Sequence, residues 1–342
     1  MTLPEKFSAF VVSEKAKTES DSESGSRSVE AVVDSQFDFS KLDPGEVVIQ
    51  IRFSALNYKD ALAANGHPGV ARKFPLIPGI DAVGTVVESS DDSLVAGDEV
   101  FVAHAKFGTA CHGGLAQFTR VPASWAYKIP EGLDFKSAVT WGTAGFTAAQ
   151  SVEKIVNADV SKSDQVLVTG ATGGVGTFAV KLLAKLGFTV VASTGKKDQH
   201  DWLRQQGAAE VICREDVNDT SDSALLKGRW AGVIDTVGGN TLATALKAAA
   251  PHACVTACGL VAGHEIPITV YPFILRGVTL CGIDSAGISR ETREALWQKI
   301  AGPWNLDLQD VATEVSLSEV PDRVQALLNG KVVGRTVVSF LR

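Results

Sequence analysis

The turn Gly170-Ala171-Thr172-Gly173-Gly174-Val175-Gly176 follows the apolar run Val166-Leu167-Val168-Thr169 and opens a segment whose Val175, Ala179, Leu182, Leu183 and Leu186 line one helical face. Strand, turn and helix in that order are the setting that a dinucleotide needs. Ala171, Gly173 and Gly176 take the three small-residue places of a G-x-G-x-x-G-like turn. The first permits the tight bend, the second lets the backbone approach a pyrophosphate, and the third lets the helix pack closely. Unpaired N–H groups at the helix start then face anionic oxygens. Flexible loops also produce glycine strings, so it is the flanking elements that carry this reading.

The next strand, Val190-Val191-Ala192-Ser193-Thr194, runs into Gly195-Lys196-Lys197. An NAD-selective domain presents an Asp or Glu to the ribose about twenty residues after the glycines. Here hydroxyls from Ser193 and Thr194 stand with the ammonium groups of Lys196 and Lys197 instead. A 2′-phosphate suits those groups and repels an acid, which makes NADPH the expected cofactor. A solvated basic turn would carry the same residues.

Composition narrows the remaining chemistry. A net charge of −7 opposes nucleic acid or an anionic membrane as the main partner, since both demand a basic surface. The five cysteines include no C-x-x-C pair and supply neither a disulfide framework nor a zinc loop. Cys254 and Cys258 share an apolar, strand-like segment and are expected to pack. Cys111-His112 has no further ligands nearby, so no metal is expected. No apolar run of about eighteen residues occurs, and Met1-Thr2-Leu3-Pro4-Glu5-Lys6 is neither a secretory signal nor an Arg-rich transit peptide; a cytosolic location is the expectation.

A chain of 342 residues is long enough to build two domains around these groups. Strands at 7–12 and 47–56, and turns leading into strands within 74–87, 95–101 and 113–118, predict a β-rich first domain. Residues 13–30, crowded with Ser, Glu, Asp and Lys, read as an exposed insertion in a loop. The small-residue helical pattern of 138–148 marks the crossing into the second domain. There strands at 166–170, 190–194, 210–213, 232–237, 253–258 and 279–283 alternate with helices, which predicts a doubly wound six-stranded parallel sheet. After it come a helix over 290–300, a strand at 315–317 and a helix over 321–328. The final strand, 334–340, has no room in a completed parallel sheet and is expected to return to the first domain.

Several stretches together are specific: Leu56-Asn57-Tyr58-Lys59-Asp60-Ala61-Leu62, Pro75-Leu76-Ile77-Pro78-Gly79-Ile80-Asp81, Gly97-Asp98-Glu99-Val100, Gly142-Thr143-Ala144-Gly145-Phe146-Thr147-Ala148, the glycine turn, and Asp235-Thr236-Val237-Gly238-Gly239. Over nearly its whole length the chain resembles the medium-chain dehydrogenase/reductase superfamily. Asn57-Tyr58-Lys59-Asp60, Cys258-Gly259-Leu260, and Phe273 to Val278 with Gly282-Ile283-Asp284-Ser285, look like its acrylyl-CoA reductase branch, related to the zinc-free quinone oxidoreductases. The resemblance implies a GroES-like β-rich domain (1–142 and 287–342) and a Rossmann NADPH-binding domain (143–286). It also implies an active site in the cleft between domains and a homodimer paired through the sheet edge near Thr279 to Ile283.

Zinc-dependent members carry a catalytic Cys where Asn57 lies and Gly-His-Glu where Gly79-Ile80-Asp81 lies, so both ligands are missing. Without a Lewis acid, conjugate reduction is the chemistry left. An α,β-unsaturated acyl-CoA, acrylyl-CoA above all, accepts hydride at its β-carbon, and the enolate then needs hydrogen-bond donors and a proton. The resemblance puts Thr143, Thr172, Gly173, Gly174, Val175, Ser193, Thr194, Lys196, Lys197, Thr236, Gly238, Cys258, Gly259, Ile283, Ser285 and Arg335 along the cofactor. Arg335 either pairs with a phosphate or is solvated. Asn57, Tyr58 and Asp60 line the nicotinamide pocket, with Asn57 as an orienting donor and Tyr58 as enolate donor or proton source. In the plain structural alternative Tyr58 packs and Asp60 caps a helix. Arg52, Arg72 and Lys73 are candidates for the phosphates of coenzyme A. The loop 103–112 departs from the family pattern; its His104 and His112 are either substrate contacts or surface residues. A quinone or enone reductase, and a non-catalytic NADPH-binding protein, are the competing functions.

Overall fold

In the computed structural model, residues 3–15 and 28–341 are described. Residues 1–143 and 308–342 form one compact unit and 144–307 the other. In the first, β1 (Lys6–Glu14), β2 (Val29–Asp38), β3 (Val47–Leu56), α1 (Tyr58–Ala64), β4 (Asp81–Ser89), β5 (Glu99–Val102), β6 (Phe118–Val121) and β7 (Ala126–Lys128) follow one another. Next, α2 (Phe135–Asn157) runs across the division and breaks at Gly142, with φ 44° and ψ −154°. The second unit continues through β8 (Gln165–Val168), α3 (Gly174–Lys185), β9 (Thr189–Thr194), α4 (His200–Gln205), β10 (Glu210–Cys213), β11 (Trp230–Asp235), α5 (Gly239–Lys247), β12 (Ala249–Ala257), α6 (Tyr271–Arg276), β13 (Thr279–Gly282) and α7 (Arg290–Ala301). The first unit is completed by β14 (Ala312–Ser316), α8 (Val320–Leu328) and β15 (Arg335–Ser339).

Alternation along β3 gives the first unit its two apolar faces. Val47, Ile49 and Ile51 pack with Val86, Val100 and Phe107, whereas Val48 and Leu56 join the cluster of Phe10, Val12, Leu115 and Val324. The sheet runs β14-β15-β3-β4-β5-β7, with β6 paired to the first half of β3. As expected, the last strand returns here: β15 lies antiparallel to the second half of β3, Thr336 opposite Leu56. The insertion expected over 13–30 is shorter than that. Ser13 and Glu14 pair with Glu30 and Val29, so β1 and β2 form a hairpin, and residues 16–27 lie outside the described residues. The turn-to-strand pattern read at 113–118 appears as a turn at Gly113 to Leu115, whose amides donate to the carbonyls of Ile77, Gly79 and Pro78, followed by β6 from Phe118.

The second unit is a six-stranded parallel sheet in the order β10-β9-β8-β11-β12-β13. Leu167, Val191 and Val233 are fully buried, as strands covered on both faces must be. The winding reverses between β8 and β11, the position at which doubly wound sheets leave a crevice at their carboxyl ends. The turn after β8 therefore stands at that reversal. A Cβ on Gly176 would collide with the Gly170 carbonyl and come within 2.7 Å of Ala171 Cα, so the third glycine does permit close helix packing. Residues 287–307 were expected with the first unit but pack in the second. There α7 buries Leu296, Trp297 and Ile300, Trp297 stacks on Phe146 with ring centroids 5.8 Å apart, and Lys299 pairs with Glu153 at 2.6 Å. No helix among the described residues is long and apolar enough to cross a membrane.

Candidate active site

In the first unit, Asn57 is the N-cap of α1 and Asp60 its third residue. Asp60 is 1% exposed, yet its carboxylate is surrounded by donors. Oδ1 accepts from Gly79 N at 3.0 Å and Ile80 N at 2.9 Å, and Oδ2 from Asn57 N at 2.8 Å and Asn57 Nδ2 at 3.3 Å. The same amide nitrogen donates to Asp81 Oδ2 at 2.8 Å, while Asn57 Oδ1 accepts from Arg335 Nη1 at 2.8 Å. Charge dictates that orientation of the amide: its donor end faces two carboxylates and its acceptor end a guanidinium. Arg335 closes the network on Asp81 Oδ2 at 2.9 Å and also donates to the carbonyls of Leu56 and Thr140, each at 3.2 Å. Asp81 Oδ1 accepts from Thr143 N at 2.8 Å and Thr143 Oγ1 at 2.6 Å. A Cβ on Gly142 would stand 2.5 Å from Asp81 Oδ2 and 2.8 Å from Arg335 Nη2, so the break in α2 admits the ion pair.

This arrangement revises two expectations. Arg335, 3% exposed, is committed to a buried ion pair and three carbonyl-type acceptors and has no reach to a phosphate. Asn57 is an orienting group for the protein, since both ends of its amide are engaged. Tyr58 differs from its neighbours: it is half-buried at the start of α1, and its hydroxyl has no hydrogen bond to a described residue. Of the two loop histidines, His112 accepts from Ile77 N at 3.1 Å and packs edge-on against Phe37, while His104 stacks on Trp125 with centroids 3.9 Å apart. Burial holds the His112 imidazole below its usual range.

In the second unit the expected cofactor residues gather at the carboxyl ends of the strands. Gly173 is the N-cap of α3, with Gly174 and Val175 in its first turn. Thr172 Oγ1 and Thr194 Oγ1 lie 3.1 Å apart, and Thr194 Oγ1 also accepts from Lys196 N. Ser193 and Thr194 are 2% and 3% exposed, so the hydroxyls expected to meet a phosphate are inside the fold, and Lys196 and Lys197 are the groups at the surface. Beside them lies a cation that the sequence pattern did not single out. Arg214, the residue after β10, extends its guanidinium over Gly195, where any Cβ would collide with it. Burial, and the Arg214 charge, hold the Lys196 ammonium below its ordinary pKa. The signal for Arg214 lay in pairing: Cys213 stands opposite Thr194 across β9 and β10, a register that sequence alone does not give.

Asp235, at the end of β11, accepts from Gly238 N at 2.7 Å and Thr169 Oγ1 at 2.6 Å, fixing the turn that carries Thr236 and Gly238. Gly259 must be glycine, since a Cβ would collide with the Thr236 carbonyl. Cys258 donates to the Asp235 carbonyl at 3.3 Å, and burial pushes its thiol up to about 12, which leaves it inert. Ile283 N donates to the Ala257 carbonyl, and the Ser285 carbonyl accepts from Arg293. No cluster of three or more His, Cys, Asp or Glu side chains placed to hold a metal ion occurs among the described residues.

Burial pushes the Asp60 carboxyl up to about 6, and the charge of Asp81 adds to the rise against the opposing pull of its amide donors. Carboxyl-carbon NMR titration is expected to place the Asp60 midpoint near that value. Asp81→Asn removes a like charge and is expected to move the midpoint down. A wild-type midpoint in the ordinary aspartate range, or an upward move in the variant, contradicts the network.

Two family models match: an alcohol dehydrogenase GroES-like domain over residues 43–131 and a zinc-binding dehydrogenase over 174–302. The acrylyl-CoA reductase AcuI of Ruegeria pomeroyi is 40% identical over 334 residues, covering 97% of this chain and 98% of its own. YhfP of Bacillus subtilis, provisionally named a quinone oxidoreductase, is 45% identical over 297 residues, 86% of this chain and 90% of its own. Its crystal structure with NAD bound matches at a TM-score of 0.89 and 41% identity, over 98% of this chain and 99% of that one. The crystal structure of Escherichia coli K-12 YhdH with bound NADPH matches at a TM-score of 0.90 and 40% identity, over 96% of this chain and 99% of that one. With relatives this similar over nearly their full length, the chain belongs to the medium-chain dehydrogenase/reductase superfamily of oxidoreductases, in the group of the YhdH, YhfP and AcuI proteins.

Proposed function

We propose that the protein is an NADPH-dependent reductase of α,β-unsaturated acyl-CoA thioesters, with acrylyl-CoA as the leading substrate, working without zinc. The observation that carries the cofactor choice is the cation pair at the end of β9. Lys196 and Arg214 stand together around Gly195, with the Asp198 carboxylate offsetting part of their charge, and this concentration of cations suits a 2′-phosphate. The glycine turn fits the rest of the molecule. A Cβ on Gly173 would meet only the Gly170 carbonyl, at a tight 3.3 Å, and the bare backbone there supports access for a pyrophosphate. Gly173, Gly174 and Val175 would hold the phosphates, and Thr236, Gly238, Gly259, Ile283 and Ser285 the remainder. Bound there, NADPH supplies hydride for the β-carbon of the substrate.

The chain's own part is electrostatic. Tyr58, whose hydroxyl has no hydrogen bond to a described residue, is the donor for the enolate oxygen or the source of its proton. Asn57, Asp60, Asp81 and Arg335 hold the α1 start that carries it, and Thr143 is tied to the same carboxylate. The zinc-free reading is supported by what surrounds Asp81: an arginine and an asparagine amide already neutralise and solvate this carboxylate. The provisional name of YhfP favours a quinone as the second substrate reading. We also propose a homodimer along β13, an edge strand flanked by exposed Leu260, Val261, Val270, Tyr271, Ile274 and Leu275.

Steady-state NADPH oxidation with acrylyl-CoA, crotonyl-CoA and a quinone tests the substrate. Tyr58→Phe is expected to lower kcat about 100-fold and leave NADPH affinity nearly unchanged; full turnover in that variant removes Tyr58 from the mechanism. Arg214→Ala should raise KM for NADPH about 10- to 100-fold and leave KM for NADH as it was. Equal losses with both cofactors refute the 2′-phosphate assignment. Sedimentation equilibrium at micromolar concentration should give twice the chain mass; a monomer sinks the dimer.

A further inference from the structure

The loop after β13 is gripped from two sides. From within, Arg293 on α7, 5% exposed, donates through Nη2 to the carbonyl of Ser285 at 2.9 Å and of Ala286 at 3.3 Å. Its guanidinium lies 5.1 Å from the centroid of the Phe146 ring, which is itself buried and stacked on Trp297. From the solvent side, the exposed Asp284 accepts through Oδ1 from Ala286 N and Gly287 N, both at 3.0 Å. Burying a guanidinium is costly unless its donors are met, and packing alone is served better by an apolar side chain. This cation is instead committed to two backbone carbonyls of one loop and to an aromatic face on α2. It holds the backbone at Ser285 and Ala286, while Ile283 N is held by the Ala257 carbonyl, just past the carboxyl end of the sheet's edge strand.

We infer that Arg293 is a positioning residue: it sets the Ile283 to Ala286 backbone against the nicotinamide half of the cofactor, and Asp284 sets the same backbone from outside. This rests on the NADPH reading above. The role is distinct from that of Lys196 and Arg214, which face the adenosine phosphate at the other side of the sheet's reversal point. Loss of Arg293 therefore disturbs the reacting end of the cofactor and spares the other. Arg293→Lys keeps a cation but loses the planar guanidinium that faces Phe146 while its Nη2 serves both carbonyls.

The test compares three variants, Arg293→Gln, Arg293→Lys and Asp284→Ala, by kcat and KM with the substrate that the wild type turns over, and by direct binding of NADPH and of adenosine 2′,5′-bisphosphate. Arg293→Gln is expected to lower kcat about 100-fold and weaken NADPH about 10-fold, with bisphosphate affinity unchanged. Arg293→Lys should recover part of kcat. Asp284→Ala, at an exposed site where the fold is not at risk, should lower kcat about 10-fold. Wild-type kcat in Arg293→Gln or in Asp284→Ala overturns the inference, and so does a parallel loss of bisphosphate binding in Arg293→Gln, which marks a purely structural role. A wild type that binds no NADPH removes the cofactor reading itself, whereas a wild type that binds it while all three variants retain full kcat removes the Arg293 assignment alone.

Discussion

The buried pair of Asp81 and Arg335 is the contact on which the first unit's chemistry depends. A carboxylate 5% exposed and a guanidinium 3% exposed meet at 2.9 Å, and neither would be tolerated inside the fold by itself. Breaking such a pair by removing one partner typically costs about 3–5 kcal/mol, a large share of a domain's net stability. Satisfying it demands glycine at 142, an interrupted helix, and an asparagine amide turned donor-first toward two acids. The start of α1 is thus fixed by charge as well as by packing, and the tyrosine on its first turn inherits that fixity. Rigid support of this kind is what lets a hydroxyl with no hydrogen bond to a described residue hold a defined position.

In the second unit the corresponding constraint is steric. Where the first unit solves a charge problem, the crest of the parallel sheet is shaped by close approaches that leave no room for a Cβ: the backbone of Gly170 on Gly176, the backbone of Thr236 on Gly259, and the Arg214 guanidinium on Gly195. The last of these converts a missing side chain into an electrostatic feature, since it is the bare backbone that lets a guanidinium settle beside Lys196. Cofactor preference in this chain is then read from two strands together, the tip of β9 and the residue just past β10.

Much of the architecture was legible because it follows from periodicity. Buried runs such as Val166-Leu167-Val168 and the glycine turn pointed to a doubly wound sheet of six parallel strands, and the surplus final strand to its return to the first unit; the order across the sheet and the pairing with β3 come from the structure. Polar residues were harder to place. Arg335 looked like a phosphate ligand because its sequence position says nothing of Asp81, which lies 254 residues away. Ser193 and Thr194 have the right chemistry for an anion and the wrong exposure, a property set by how the strand tip is covered. Arg214 was invisible for the converse reason, as one surface arginine among many. Residues 13–30 misled at their ends, where strand pairing orders a polar sequence that would not order itself.

The two units differ in how the chain supplies them. Residues 144–307 are continuous, whereas the first unit joins 1–143 to 308–342. During synthesis from the amino end, the continuous unit can complete its core while Asp81 still lacks its guanidinium. The arginine that pairs with Asp81 arrives only with β15, so the nascent first unit carries that acid uncompensated until residue 335 has been made. Order of manufacture is in this way built into the topology: a prematurely ended chain would hold a complete parallel sheet and no working counterpart to it.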